Sequence, residues 1–226
     1  MRKQTNISDS TRTIAGISVF SAFAFCVALV TNIPVGFLTF DAKDTIITIA
    51  SFIYGPVSAV IMSAITAIME AITVGNTGPW GALMDFISTA SFTVTASLIY
   101  KYRRTYNGAL IAYFCAIIST TGVMLVLNRF VTPIYLVEFF GMPKAVATQN
   151  VIDMLANVLL PFNFAKALMN SAIAMILYKP IANALRRTNL VKGKTMGTKF
   201  GKQSIITIIV GALSLAAAIV AFVIIS

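Results

Sequence analysis

The sequence predicts an all-α membrane protein, a polytopic bundle of transmembrane helices. Of its 226 residues, 58% are hydrophobic and only 11% are charged, and the mean hydropathy is +0.88. Soluble domains carry about 25% charged residues. Several apolar runs approach the roughly 20 residues that a helix needs to cross a bilayer. The composition therefore excludes an ordinary soluble domain, and the apolar runs predict seven helical spans.

The second of these spans is too short to cross the membrane alone. Its eleven residues rise about 16 Å as a helix, against a hydrocarbon core of about 30 Å. The segment before it, PVGFLTFDAKD, is expected to enter the protein as irregular chain beside a cavity, because such backbone is tolerated at membrane depth only there. The seven spans are predicted at Ile14–Ile33, Asp44–Tyr54, Val57–Val74, Ala82–Tyr100, Ala109–Phe130, Pro161–Tyr178 and Ser204–Ile225.

The basic residues predict which side of the membrane each loop faces. With the N-terminus in the cytoplasm, thirteen of the seventeen lysines and arginines fall in cytoplasmic segments, and only Lys43 and Lys144 fall in outer loops. Positively charged loops stay inside, so the N-terminus is predicted to be cytoplasmic and, with seven spans, the C-terminus outside. The chain divides into a six-helix domain (residues 1–182), a basic cytoplasmic linker (183–203) and an extra C-terminal helix (204–226).

Composition and motifs also argue against several classes of function. The net charge of +10 comes from clusters beside the spans, with no basic face interleaved with exposed aromatics, so it does not indicate nucleic-acid binding. The chain has no histidine, which removes histidine-based catalytic triads and most zinc sites. The run Gly193–Thr195 lacks the earlier glycine and the strand of a P-loop. Cys26 and Cys115 lie in apolar runs and are expected to be packing residues.

Polar residues at the predicted outer ends of the spans mark a candidate site. Asn163 and Lys166 lie three residues apart, so they share one face of a helix. The residues alone leave two interpretations of Lys166 open. It snorkels to the headgroups or pairs with Asp85 or Glu70 between helices, or it joins Asn128 and Asn163 as a hydrogen-bond donor to a polar, roughly planar ligand.

Two other outer features also allow a structural interpretation. Asp41 and Asp44 flank Lys43 and are expected to be solvated, with Asp44 as the N-cap or a first-turn residue of span 2. Trp80 is the only tryptophan, and it is either an interfacial belt residue or a ring that stacks on a ligand.

Five motifs follow one another along the chain: FLTFDAKD, GNTGPWG, SLIYKYRRTYNGALIA, LNRFVTPIYLVEFFGMP and LPFNFAKALMNSAIAMILYKPI. In this order they resemble the substrate-binding S component of energy-coupling factor (ECF) vitamin transporters, most closely the riboflavin-specific members. The resemblance covers about residues 14–182, and the ordered set is specific although each motif alone is not. An added span 7 departs from the family pattern.

The resemblance implies a protein in the cell membrane of a prokaryote that captures riboflavin from outside and delivers it inward. Riboflavin is then the transported ligand, and no cofactor is implied. Delivery is expected on a module of one transmembrane coupling protein and two ATP-binding subunits, so this chain itself is not expected to be an enzyme.

The same resemblance implies roles for particular residues. Asn128, Asn163 and Lys166 are expected to bind the flavin, and Trp80 to lie beside its ring. The loop before span 2 is expected to cover the site with Leu38, Thr39 and Phe40. Small residues of span 1 are expected to contact the coupling protein, because they allow another helix to approach closely. The candidate pairs are Ser18 with Ala22 and Ala24 with Ala28.

Three alternatives compete with a riboflavin-binding subunit. One is an S component for FMN or another vitamin, and FMN would favour a cluster of basic residues at the mouth of the site, whereas Lys43, Lys144 and Arg129 are scattered. A self-sufficient secondary carrier would show internal repeats, and the spacing of glycine and proline shows none. An intramembrane enzyme would need a carboxylate pair, and Asp85 and Asp153 have no motif spacing.

Overall fold

The computed structural model describes residues 9–35, 38–75 and 78–187, which form long helices around one short, buried helix. Predicted span 7, the linker beyond residue 187 and the run Gly193–Thr195 lie outside the described residues. The first five helices are α1 (Asp9–Thr31), α2 (Lys43–Tyr54), α3 (Pro56–Thr73), α4 (Gly78–Tyr102) and α5 (Tyr106–Phe140).

The last helical stretch is longer than the sequence predicts. It begins with α6 (Lys144–Met154), passes through a π-helical turn (Leu155–Leu159) and continues as α7 (Leu160–Arg187). Pro161 lies in the first turn of α7, as predicted, but a helical turn precedes it instead of a loop. Proline has no N–H and its ring clashes with the preceding turn, so it interrupts the regular hydrogen bonds of an α-helix. The π turn before Pro161 accommodates this interruption.

Counted in this way, the described residues form six helices. All but α2 are long and apolar enough to span a membrane: α1, α3, α4, α5 and the α6–α7 stretch. Helix α5 extends ten residues beyond its predicted end at Phe130, with Pro133 inside it. The prediction of a polytopic helical membrane protein is therefore confirmed.

The described part of the segment before α2 forms two strands, not irregular chain as predicted. Strand β1 (Ile33–Val35) pairs antiparallel with β2 (Leu38–Phe40), and Ile33 lies opposite Phe40. Pairing the two strands with each other satisfies backbone groups that would be costly to leave unbonded near a membrane interior. This β-hairpin joins the end of α1 to the start of α2.

Helix α2 occupies the centre of the bundle. Every residue from Lys43 to Phe52 is buried, and the helix contacts α1, α3, α4 and α7. Gly55 ends it with a φ of 97°, a conformation that glycine adopts without strain, and Pro56 then begins α3. The predicted break at Gly55-Pro56 is confirmed.

Apolar packing fills the half of the bundle that lies beyond α2. An aromatic cluster there consists of Phe52, Tyr100, Tyr113 and Tyr178, from α2, α4, α5 and α7. Phe52 stacks on Tyr100 with ring centroids 4.1 Å apart, and the Tyr100 and Tyr178 hydroxyls lie 3.0 Å apart. The aromatic cluster closes the bundle at the end away from the β-hairpin.

Candidate functional site

A cavity of about 470 Å³ opens at the end of the bundle that carries the β-hairpin. Its volume lies within the roughly 300–1,000 Å³ typical of small-molecule sites. The walls come from the hairpin, the end of α3, the start of α4, the second half of α5 and the start of α7. The predicted convergence of polar side chains from distant spans is thus observed at one end of the molecule.

Two asparagines predicted to bind a ligand line this cavity, and neighbouring groups orient both. The Asn128 amide donates to the Met124 carbonyl at 2.7 Å and accepts from the Thr132 hydroxyl at 2.9 Å. The Asn163 amide donates to the Leu159 carbonyl at 2.7 Å. Each side-chain amide has two N–H donors, so one donor of each remains for a ligand.

Lys166 also lines the cavity, and its partner differs from both carboxylates that the sequence suggested. Its ammonium lies 2.6 Å from Asp41 Oδ2 and 3.3 Å from the Thr39 carbonyl oxygen, and not beside Asp85 or Glu70. These two contacts tie α7 to the β-hairpin and its exit. An ammonium has three donors, so Lys166 retains capacity for a third partner.

Lys43 forms the centre of an ionic network beneath the cavity wall. Its ammonium contacts both oxygens of Glu70 at 2.8 Å and Asp85 Oδ1 at 2.6 Å, with Asp41 Oδ2 at 3.9 Å. Its side chain has no exposed surface. The interpretation of Lys43 as an outer-loop charge was therefore wrong, since this residue is the first of α2 and is fully enclosed.

The two aspartates that flank Lys43 are buried, so the expectation that they are solvated was also wrong. Asp44 does lie in the first turn of α2, but it accepts a hydrogen bond from the Thr89 hydroxyl at 2.7 Å. The backbone carbonyl of Asp41 accepts from the Asn170 amide at 3.0 Å, and the oxygen of that amide accepts from the Thr45 N–H at 3.0 Å. Hydrogen bonds and counter-ions replace the water these groups would otherwise bind.

Of the residues predicted to cover the site or to lie beside the flavin ring, only two line the cavity. Leu38 and Thr39 line the cavity. The described lining does not include Phe40, which is buried with its ring edge-on to the cavity-lining Phe162 at 6.4 Å. It does not include Trp80 either, whose indole N–H donates to Glu138 at 2.6 Å. Their ligand contacts remain predictions.

The two candidate pairs on α1 differ in accessibility. Ala24 and Ala28 are buried, and Ala24 packs with residues of α2 and α3. Ser18 and Ala22 are exposed on the outer surface of the bundle. Only Ser18 and Ala22 are therefore open to another helix in this structure.

The sequence analysis considered Glu70 and Asp85 only as structural partners of Lys166, whereas both line the cavity with Asp41. The lining thus contains three carboxylates and one ammonium, that of Lys166, while the Lys43 ammonium contacts all three carboxylates from behind the wall. One sequence signal could have indicated their position, because a lysine at the start of a short, enclosed helix needs counter-ions from other helices.

Among the described residues, no group of histidine, cysteine or acidic side chains is arranged to hold a metal.

A polar cavity within an apolar helical bundle defines a membrane-embedded binding protein for a small polar molecule. The family model for the substrate-specific component of ECF transporters matches residues 12–178. The chain belongs to that family, and it is accordingly a multi-pass membrane component of a transporter.

Individual relatives agree with this assignment. The riboflavin transporter RibU of Staphylococcus aureus is 31% identical over 82% of this chain and 98% of its own. The riboflavin transporter FmnP of Bacillus subtilis is 24% identical over 72% of this chain and 87% of its own. The solved structure of the S component of a bacterial ECF transporter superposes with a TM-score of 0.62 at 30% identity, covering 79% of this chain and 99% of that one.

Proposed function

We propose that this protein is the riboflavin-binding S component of an ECF transporter. The observation that carries the proposal is that Asn128, Asn163 and Lys166, from two different helices, line one cavity of suitable size. Amide and ammonium donors suit the carbonyl oxygens and ring nitrogens of a flavin. Two relatives that align over most of their length are named riboflavin transporters, which supports the same ligand.

The charge of the cavity favours riboflavin over FMN. Three carboxylates and one ammonium line it, so a phosphate would meet net negative charge where phosphate sites normally offer arginine or lysine clusters. A neutral flavin avoids this repulsion.

We further propose that the cavity opens to the outside and that the N-terminus is cytoplasmic. Helix directions place six basic residues at the end of the bundle opposite the cavity, which agrees with the positive-inside rule. Those in the described chain are Arg12, Lys101, Arg103, Arg104, Lys179 and Arg187. Residues 204–226, outside the described residues, are proposed to add a further span that places the C-terminus outside.

Transport in this proposal depends on partner subunits. The exposed Ser18 and Ala22 would seat the transmembrane coupling protein, because small side chains allow close helix contact, while two ATP-binding subunits supply the energy. Uptake of riboflavin by cells that express this chain without any ATP-binding subunit would contradict the mechanism.

The ligand is tested by purifying the protein in detergent from riboflavin-fed cells. The wild type is expected to copurify with flavin absorbance and fluorescence, and to melt at a higher temperature with riboflavin but not with thiamine or biotin. Asn163→Ala, which breaks no ion pair, should reduce bound flavin, and Asn163→Ala with Lys166→Ala should abolish it.

A matched control replaces the same residue types on the exposed surface of α6. Asn150→Ala with Lys144→Ala is expected to retain wild-type flavin content, since both side chains are exposed. Stabilisation by thiamine or biotin with no response to riboflavin would overturn the proposed ligand.

A further inference from the structure

A phenylalanine ring lies at the mouth of the cavity. Phe140 is the last residue of α5 and lines the cavity, yet it is 57% exposed. Asn128, which lines the same cavity from the same helix, has no exposed surface. The Phe140 ring therefore presents apolar surface at the outer edge of a polar site, where a bound molecule with an apolar part would cover it.

Two features hold this ring in position. Tyr135, in the same helix, also lines the cavity, and its ring lies edge-on to that of Phe140, with the centroids 5.5 Å apart. Gly141 then ends α5 in the left-handed conformation, with a φ of 63°, and its N–H donates to the Val137 carbonyl at 3.1 Å. Such a glycine cap fixes where a helix ends, so the position of Phe140 is set before a ligand arrives.

The distance between Phe140 and Asn128 indicates which part of a flavin Phe140 meets. Positions 128 and 140 are separated by about 18 Å of helix, and helical side chains lean back toward the N-terminus, which brings the Phe140 ring nearer to the depth of Asn128. The Asn128 amide can donate to the carbonyl oxygens at the polar end of the flavin ring system. The opposite end is a dimethylbenzene ring, and with the carbonyls bound at depth that end points to the mouth.

We propose that Phe140 packs against the dimethylbenzene end of the bound flavin. Aromatic pairs in edge-to-face or offset-stacked contact are favoured beyond the area that they bury, and this end of the flavin has no polar group that would need a hydrogen bond. The proposal rests on the proposed function, which it deepens by assigning an orientation to the ring and a residue to its outer end.

The test compares riboflavin with lumiflavin, which has the same ring and a methyl group in place of the ribityl chain. Their dissociation constants are measured by quenching of flavin fluorescence in purified wild type and Phe140→Ala. Loss of the aromatic contact should weaken the binding of both flavins by the same factor, about 3- to 30-fold. The factor should be equal because the contact lies on the ring that both molecules share.

Phe139→Ala is the matched control. Phe139 is the neighbouring residue, is 48% exposed and also contacts the Tyr135 ring with a centroid distance of 5.5 Å, but the described lining of the cavity does not include it. Its replacement should change either affinity by less than about 2-fold. Thermal unfolding of the ligand-free variants shows separately whether each is folded.

A pair of tryptophan variants gives a readout that a structural role would not change. Phe140→Trp should retain riboflavin affinity within about 3-fold, because indole offers a larger aromatic face. An electron-rich indole stacked on a flavin quenches its fluorescence and adds charge-transfer absorbance beyond the main flavin band. Phe140→Trp should therefore show deeper quenching and this absorbance, whereas Phe139→Trp should show neither.

Three results would overturn the inference. Unchanged affinities in Phe140→Ala would make Phe140 an interfacial belt residue, and equal losses in the two alanine variants would make its role structural. A loss confined to riboflavin would place the ribityl chain, and not the ring, at the mouth. All three leave the proposed function intact, whereas wild-type protein that binds neither flavin would refute the proposed function itself.

Discussion

Replacing the buried Lys43 by methionine removes one ammonium from between two carboxylates. Methionine has a similar length, so the main loss is the charge that contacts Glu70 at 2.8 Å and Asp85 at 2.6 Å. Removing one partner of a buried ion pair costs about 3–5 kcal/mol. The two carboxylate side chains remain 15% and 24% exposed, so water screens part of this cost and we expect about 3 kcal/mol.

Thermal unfolding of the ligand-free protein in detergent measures this loss. For a chain of this size, about 3 kcal/mol corresponds to a melting temperature lowered by roughly 6–12 °C. Lys144→Met is the control, because that lysine is exposed at the start of α6, and it should melt with the wild type. Lys43→Met with Glu70→Gln and Asp85→Asn should recover part of the loss, since the two carboxylates that lose their counter-ion are then neutral amides. A melting temperature for Lys43→Met equal to that of Lys144→Met would refute the argument.

Two further variants test other features of the structure. Tyr113→Phe removes a buried hydroxyl that has no hydrogen-bond partner in the described part of the chain. The melting temperature should therefore be unchanged, or higher by the equivalent of at most about 1 kcal/mol. A clear decrease would mean that the hydroxyl is bonded. Ser18→Leu adds bulk to the exposed face of α1, so it should leave riboflavin binding intact. Uptake should fall roughly 10-fold or more in cells that hold the whole transporter, which corresponds to a loss of about 1.4 kcal/mol in the free energy of association with the coupling protein. Val19→Leu, at the adjacent exposed position, is the control, and wild-type uptake by Ser18→Leu would remove this face from the proposed interface.

The general architecture and the position of the cavity were predictable because membrane burial makes polar residues costly. Apolar runs long enough to span a bilayer predict helices directly. Polar residues within such runs, among them Asn163 and Lys166, are tolerated when they face the protein interior. Both residues do line the cavity, so their position along the span and the helix face on which they lie were predictable from the sequence.

The pairing of charges was not predictable in the same way. Lys43 is separated from Glu70 by 27 positions and from Asp85 by 42, and no local spacing encodes contacts across three helices. Its flanking aspartates made the segment resemble a solvated loop. Only the assembled bundle shows that α2 starts inside the protein, where each of these charges needs a specific partner.

Helix α6 was missed for a different reason. Its sequence, KAVATQNVIDM, is too polar to form an apolar run, so the hydrophobic pattern that revealed the other helices is absent. Span 5 was predicted to end at Phe130 and span 6 to begin at Pro161, whereas α5 continues through Pro133 and a π turn precedes Pro161. Packing within the bundle offsets the lost backbone hydrogen bonds at both prolines.

The aromatic cluster beyond α2 makes the binding site a cup and not a channel. Within the described residues, Phe52, Tyr100, Tyr113 and Tyr178 fill the space between the cavity and the far end of the bundle. A bound molecule has no passage through these rings, and opening one would separate four helices and expose their apolar contacts. Inward release of a bound molecule would therefore require either that opening or a reorientation of the whole occupied bundle.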